Sequence, residues 1–497
     1  MKDQHTGKTV SQISLFFIQI FATFAFSVLF STLALFMTQH LKLHATAAAV
    51  ITANFVAMNY AFRLFGGSIS GKLFSHRGLL FYGIILQLFG CYLLSFVTLH
   101  YLYWGLPLII AGSAINVVSI NCAVNQLFEP EDITREKAFL WNYSGMNIGY
   151  FLGFIISGVF EIGGSYSHLF MLCAFFNVIT LLILFTTWRT LRDRRSSFIK
   201  SPRGKRFLYR LVGFILVLIS VFAIRFMIMN SNFSSFLILL VGVAMFIVIC
   251  FFAFKQKEKQ ASRKMWAFLI LAIANIVFWT LYMMTPSSIM LFIQHNVDRH
   301  FLNFLIPPQW MQTIVSFMII IGGPVLATVF HKLRNKGYHI SVPLQFSSAL
   351  VLIGLGFMSL VAGIYFADSK GFININWIIL CYILQSLGEL FISPIGYSMI
   401  GQLIPQKLQS AMLGTWMMLT GFSAVIAGFF SKMIFHKAHS LSPLVTNPSF
   451  KDTFFTLSLS SLITGVIMFL LIRFLNKLIR EEEDVKEEPM ETTTLPH

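Results

Sequence analysis

A carboxylate in the middle of an apolar run is the strongest chemical signal in this sequence. Glu389 lies in LQSLGELFISPIGYSMIGQL (384–403), with about 18 to 20 Å of helix on each side of it in the run from Trp377 to Gln402. In a bilayer that is the midplane, where an acid is costly and marks a substrate or ion pathway, a proton relay or a counter-ion. The structural alternative is a carboxyl held by a neighbouring hydroxyl or helix end. Pro394, a little over one turn further on, cannot donate a backbone hydrogen bond and is expected to bend or loosen the helix near the acid. Asn147 is a mid-span amide that needs a partner. Arg63, in FVAMNYAFRLFGG, is a cation inside a second apolar run, about 13 Å along the helix from Lys72. It either snorkels toward the headgroups or faces inward. Arg225 (VFAIRFMIM) reads as an anchor or a helix-pair contact. Asp298 and Arg299 fall where a span emerges, and an exposed pair there adds little stability.

Other chemistries lack their residues. There is no G-x-x-x-x-G-K-[ST] for ATP, no H-E-x-x-H and no pair of mid-span aspartates. The five cysteines (Cys91, Cys122, Cys173, Cys250, Cys381) form no C-x-x-C or Cys/His cluster, so neither a metal nor a disulfide framework is expected. No cofactor is implied, and an enzyme is the weakest reading.

These residues sit in a chain of 497, 57% hydrophobic and only 11% charged, against about 25% charged in a soluble domain. It reads as an all-α polytopic membrane protein. The N-terminus lacks a signal-peptide cleavage pattern, so the first apolar run is expected to be a retained span. Apolar runs fall near 13–39, 47–73, 79–99, 102–127, 138–160, 167–188, 207–229, 233–254, 265–294, 309–332, 342–366, 376–402, 409–435 and 453–477. They are too long and too unalternating for a barrel. RTLRDRRSSFIKSPRGKR, KQKEKQASRK, HKLRNKG and KLFSHRG put the basic loops on one side, which predicts that this side and both termini are cytoplasmic. The net charge of +17 belongs to those loops, so nucleic-acid binding is not expected. The organisation reads as a six-helix bundle over 1–190, a basic linker with two extra helices over 191–262, a second bundle over 263–480 and an acidic disordered tail over 481–497. Two six-span halves are the layout of a major-facilitator transporter, with its site at the midplane between them. The extra pair need not touch the substrate.

Four stretches resemble the proton-dependent oligopeptide transporters: GELFISPIGYSMIGQLIPQKLQSAMLGTW (388–416), VFWTLYMMTPSSIMLFIQHNVDRHF (277–301), PPQWMQTIVSFMIIIGGPVLA (307–327) and FLWNYSGMNIGYFLG (139–153). The resemblance implies that Glu389 receives a peptide amino terminus and that Asn147 faces the substrate. It brings in Trp279 and Trp416 through their motifs, with Tyr143 and Ser393 as further polar contacts. It also makes Asp298 a gate acid. The first-helix arginine that would pair with it aligns with Phe30, so Arg299, His40 or Lys42 is expected to substitute. The family's first-helix E-x-x-E-R cluster aligns with Gln19, Ala22 and Thr23. The fourth-helix lysine aligns with Val117, the eighth-helix asparagine with Val315 and the acid after the second helix with Gly71. Any proton coupling is therefore expected to run through Glu389, assisted by Asp298, with Arg63 as the first-half cation.

The expected function is secondary active transport in the bacterial inner membrane, by alternating access around a central site. Di- and tripeptides or a related amine-bearing solute are the expected cargo, taken up with protons by a monomer embedded in lipid. The alternatives are a repurposed carrier of a siderophore, drug or other metabolite, and a non-transporting receptor on the same fold.

Overall fold

The computed structural model describes residues 2–128, 134–193, 196–256, 258–302, 304–337, 340–404, 409–436 and 440–479. The expected acidic tail lies outside the described residues. Fourteen helices are long and apolar enough to cross a membrane. The first six long helices are α1 (Lys2–Leu35, extended by a wider turn Phe36–His40), α2 (Ala45–Ile69), α3 (His76–Leu94), α4 (Leu99–Gln126), α5 (Thr134–Ile162) and α6 (Tyr166–Thr186). A single turn, α7 (Ser197–Lys200), leads into the extra pair, α8 (Arg203–Met229) and α9 (Ser231–Lys255). Then come α10 (Lys259–Tyr282), continued through a wide turn Thr285–Ile289 into α11 (Met290–Asn296), and α12 (Trp310–Asn335), α13 (Val342–Tyr365), α14 (Ile375–Leu403), α15 (Gln409–His436) and α16 (Pro443–Leu470). A short amphipathic α17 (Ile472–Ile479) closes the described chain.

Helix starts follow local chemistry. Ser75 caps α3 by accepting from Gly78 N, and Asn374 caps α14 by accepting from Asn376 N. The last long helix departs from expectation, starting at Pro443 and not near 453. Its first turns, PLVTNPSFKD, are polar and escape a hydropathy count. Tertiary partners satisfy them: Asn296 Nδ2 donates to Thr446 Oγ1 at 2.7 Å and to Asn447 Oδ1 at 2.8 Å, and Asn447 Nδ2 donates to Gly371 O at 2.8 Å. Buried amides tolerate this position because each finds a partner.

Within the first six helices, α1 packs on α5 and α6, and α3 on α4; in the last six, α13 packs on α14 and α16. Two seams join the halves. Along α15, Gly414, Gly421 and Gly428 recur every seven residues and face α2. A Cβ on Gly421 would stand 2.8 Å from Ala57 O, one on Gly428 2.5 Å from Ala53 Cβ, and one on Gly414 against Leu64. Small residues allow such close backbone approach, which substitutes for a hydrophobic driving force in lipid. The second seam is α5 against α12, joined at the end opposite the basic loops, where Trp310 Nε1 donates to Ile155 O at 3.0 Å. The extra pair lies beside α2, α4, α10 and α15. Asn54 of α2 ties it down, donating to Ser231 O at 2.9 Å and accepting from Ser235 Oγ at 3.1 Å. Arg225 lies 4.1 Å from the Trp104 ring, a helix-pair contact of α8 with α4.

Short strands close the end opposite the basic loops. β1 (Val297–Asp298) pairs in parallel with β4 (Ile373–Asn374), and β2 (His300–Phe301) pairs antiparallel with β3 (Phe304–Leu305).

Candidate functional site

Between the halves lies a cavity of about 170 Å³, lined from α1, α2, α5, α10, the turn after it, α12, α14 and α15. Neither extra helix lines it. Seven of the residues singled out from sequence meet here: Glu389, Asn147, Tyr143, Ser393, Trp279, Trp416 and Arg63.

Glu389 is 8% exposed and accepts a hydrogen bond from Tyr282, while its Oε2 has no partner. α14 carries it inward because SLGELFIS is helical throughout, and the helix continues through Pro394 to Leu403. Arg63 comes from the other half. Its Nη2 donates to Asn59 Oδ1 at 3.2 Å, one turn back, and its guanidinium carbon lies 4.2 Å from the Tyr60 ring centre. Nε is buried without a partner, and no carboxylate among the described residues pairs with it. One acid and one base with unused hydrogen-bonding capacity therefore line the same cavity from opposite halves.

The walls have definite supports. Trp279 Nε1 donates to Asn275 Oδ1 at 3.0 Å, and its ring meets Tyr282 edge-on at 4.9 Å. Trp416 packs near Phe268 and Phe346 and fills the space over Gly396. Asn147 Nδ2 donates to Tyr143 O at 3.0 Å, so the mid-span amide is partnered within its own helix.

Several lining residues were not singled out from sequence: Tyr60, Tyr150, Tyr282, Thr285, Gln312 and Ser316. Helical spacing carries a signal for them. Tyr60 precedes Arg63 by three residues, Tyr150 follows Asn147 by three, and Gln312 and Ser316 share one face of α12. Gln312 is 1% exposed, and neither its Oε1 nor its Nε2 has a partner.

A second, smaller pocket of about 20 Å³ adjoins the first at Arg63. Ala22, Thr23 and Val117 line it, with Asn59, Ser113 and Asn116. Neutral amides and hydroxyls occupy this neighbourhood: Gln19 Nε2 donates to Thr23 Oγ1 at 2.9 Å, Asn59 to Ser113 Oγ, Asn116 Nδ2 to Gln87 Oε1 at 2.5 Å, and Gln87 Nε2 to Ala22 O at 3.2 Å. Thus three of the positions that resemblance assigns to an ionisable cluster, Ala22, Thr23 and Val117, share a pocket with Arg63 and carry no ionisable side chain.

Asp298 lies elsewhere. It is on the surface with its side chain 59% exposed, and it accepts from His300 N at 3.1 Å and Nδ1 at 2.9 Å. Those bonds hold its carboxyl below the usual range, the backbone N–H of His300 first among them. The expected pairing of Asp298 across the mouth is replaced by this local turn, because β1–β4 pairing anchors Asp298 beside Asn374. Arg299 turns inward to donate to Ile306 O at 2.9 Å. It faces Glu161 on the last turn of α5, a carboxylate that sequence reasoning missed. Glu161 accepts from Tyr166 OH and, at 3.2 Å, from Gln309 Nε2, joining α5 and α6 to the segment before α12. His40 lies in ring contact with Tyr166, and among the described residues Asp298 is ion-paired with His300 and not with Lys42.

Among the described residues no group of three or more His, Cys, Asp or Glu could hold a metal ion. The five cysteines are free.

Comparison with known proteins places these features in context. The family description "PTR2: POT family" matches residues 77–444. Dipeptide and tripeptide permease B of Salmonella typhimurium is 26% identical over 471 residues, covering 94% of this chain and 95% of the relative. The protein of the same name from Yersinia enterocolitica is 28% identical over 471 residues, covering 94% of each. Among solved structures, a POT family transporter in complex with 5-aminolevulinic acid superposes with a TM-score of 0.80 at 21% identity, covering 93% of this chain and 96% of the other.

Proposed function

The chain belongs to the POT family, and from that premise we propose that it carries di- and tripeptides, or a related small amine-bearing acid, across the inner membrane by alternating access. The observation that carries this reading is the opposed pair, Glu389 and Arg63, each with an unpartnered polar atom on one buried cavity. A zwitterion offers what each lacks. Its ammonium bonds to Glu389 Oε2 and its carboxylate to the guanidinium of Arg63, where the fork of N–H groups suits a carboxylate. An extended dipeptide reaches about 7 Å along its backbone, so its two ends can engage helices of opposite halves. Closing the halves around the solute is then a consequence of binding it at both ends. The permeases of Salmonella and Yersinia and the structure holding 5-aminolevulinic acid support this solute class.

Arg63 takes the place of the cations missing from Thr23 and Val117, since it lines the same small pocket as those positions. Asn147, Tyr143 and Ser393 supply polar contacts, and Trp279 and Trp416 shape the walls. Proton coupling runs through Glu389, the one carboxylate among the described residues of the cavity's lining. Helices of both halves of one chain line the cavity, which supports transport by each chain on its own. The basic loops and both termini are cytoplasmic, which puts Glu161 and Arg299 on the outer side.

The test is counterflow of a radiolabelled dipeptide in proteoliposomes. Saturable exchange, competed by other dipeptides and by 5-aminolevulinic acid, is the expected result. Absence of exchange for all of them, with folded protein in the vesicles, would refute the assignment.

A further inference from the structure

Gln312 is a buried side chain with no use in the fold. Gln312 lies on α12, 1% exposed, among the residues that line the main cavity, and neither its buried donor Nε2 nor its buried acceptor Oε1 has a partner. Leaving both ends of a buried amide unpaired is costly, and native structures contain few such groups. The neighbouring glutamine shows the contrast: Gln309, just before α12, spends its Nε2 on Glu161. Two other polar groups on the cavity are committed inside the protein, Trp279 to Asn275 and Asn147 to Tyr143 O. Glu389 and Arg63 each leave one polar atom unpartnered, and among the described lining residues Gln312 alone leaves both a donor and an acceptor of one side chain unpaired.

We propose that Gln312 reads the backbone of the substrate's first residue, donating Nε2–H to the carbonyl of the peptide bond while Oε1 accepts an N–H of the amino terminus. The geometry is that of strand pairing. In an extended residue the N–H and C=O point to the same side, and a partner with one donor and one acceptor satisfies both, as in an antiparallel pair. A primary carboxamide is such a partner. The assignment rests on the transport reading above and deepens it: Glu389 and Arg63 select a zwitterion, and Gln312 selects a zwitterion that carries a carbonyl beside its amine-bearing carbon, as a dipeptide and 5-aminolevulinic acid both do.

Neither charged residue can make that selection. A solute with an amine and a carboxylate at dipeptide spacing but no carbonyl between them would satisfy Glu389 and Arg63 equally. It would leave Nε2 of Gln312 desolvated and unpaired, and a site built to hydrogen-bond its ligand rejects an analogue that cannot do so. Replacing Gln312 with an apolar side chain of similar length removes the polar group and with it the penalty, so the discrimination should fall while the carbonyl-free solute is spared.

The experiment compares glycylglycine with 5-aminopentanoate, its all-methylene counterpart, as competitors of dipeptide counterflow in proteoliposomes and as ligands in thermal-shift titration of the purified protein. The parent should favour glycylglycine, by about tenfold or more if the buried amide is left unsatisfied by the other solute. Gln312→Met should bring the ratio toward unity, mainly by weakening glycylglycine, and Gln312→Asn, which keeps both groups on a shorter stem, should retain part of it. An unchanged ratio in Gln312→Met, with glycylglycine still bound, would overturn the role of Gln312 while leaving the transport reading intact. A parent that binds neither solute would refute both. If Gln312→Met fails to fold, the ratio in Gln312→Asn decides: a value equal to the parent's counts against the proposal, a reduced one supports it.

Discussion

Replacing Glu389 with glutamine tests the proposed ammonium contact most directly. The substitution keeps the shape of the side chain and an oxygen that can accept from Tyr282, but it removes the charge that faces the cavity through Oε2. A hydrogen bond to a charged group contributes about 1.5–3 kcal/mol. At about 1.4 kcal/mol per decade this corresponds to roughly 10- to 150-fold in affinity. The low exposure of Glu389 justifies using this range and not the smaller figure for surface ion pairs. Affinity alone does not prove that the lost partner is an ammonium, so the assay is a double cycle. Competition by a dipeptide and by its N-acetylated form is measured on the parent and on Glu389→Gln. Acetylation should weaken competition strongly in the parent and little in the variant, and the difference is the coupling between the two groups. If acetylation costs the same in both proteins, the carboxylate does not hold the amino terminus, and Glu389 has a structural or purely proton-carrying role.

Arg63→Gln should weaken free dipeptides by about tenfold or more while leaving C-terminally amidated ones nearly unaffected, because only a carboxylate uses the guanidinium; equal losses for both would place the carboxylate elsewhere. Gly421→Val should cost about 1–3 kcal/mol by overpacking against Ala57 O on α2, read as a lower unfolding temperature in detergent; no change would mean that the seam relaxes freely. Asp193 accepts from Ser196 N at 3.1 Å and Gln126 Nε2 at 2.9 Å. Burial pushes its carboxyl up, but these bonds and the nearby His76 outweigh it and hold it below the usual range. The stabilisation is therefore present at neutral pH and lost as pH falls through that lowered value. Asp193→Asn should lower the unfolding temperature at neutral pH, with the gap to the parent closing on acidification. A cysteine at Lys200 should react with an impermeant maleimide only after the cytoplasmic face is opened; labelling of intact cells would invert the orientation.

Local composition alone settled the spans, since an apolar run of membrane length has one stable backbone answer in lipid, and all fourteen were legible with shifted ends. It also exposed Glu389 and Arg63, because a charge inside such a run is conspicuous wherever its side chain turns. What it could not tell was which face of each helix looks inward. In a soluble protein the apolar stripe marks the buried face, but here lipid and core are both apolar and the contrast disappears. Gln312 consequently looked like any polar residue near a helix start, and Glu161 like a loop residue. Only the packing of α12 against α5 shows the first lining a cavity and the second bonded to Gln309, 148 positions away in the chain. Asp298 is a further case. Its motif does not name its partner, and the pairing of β1 with β4 places it on the surface beside His300. Spans and charges follow from the free energy of transferring residues between water and lipid, which is local. The cavity follows from which distant polar atoms find partners and which do not, and that depends on the assembled fold.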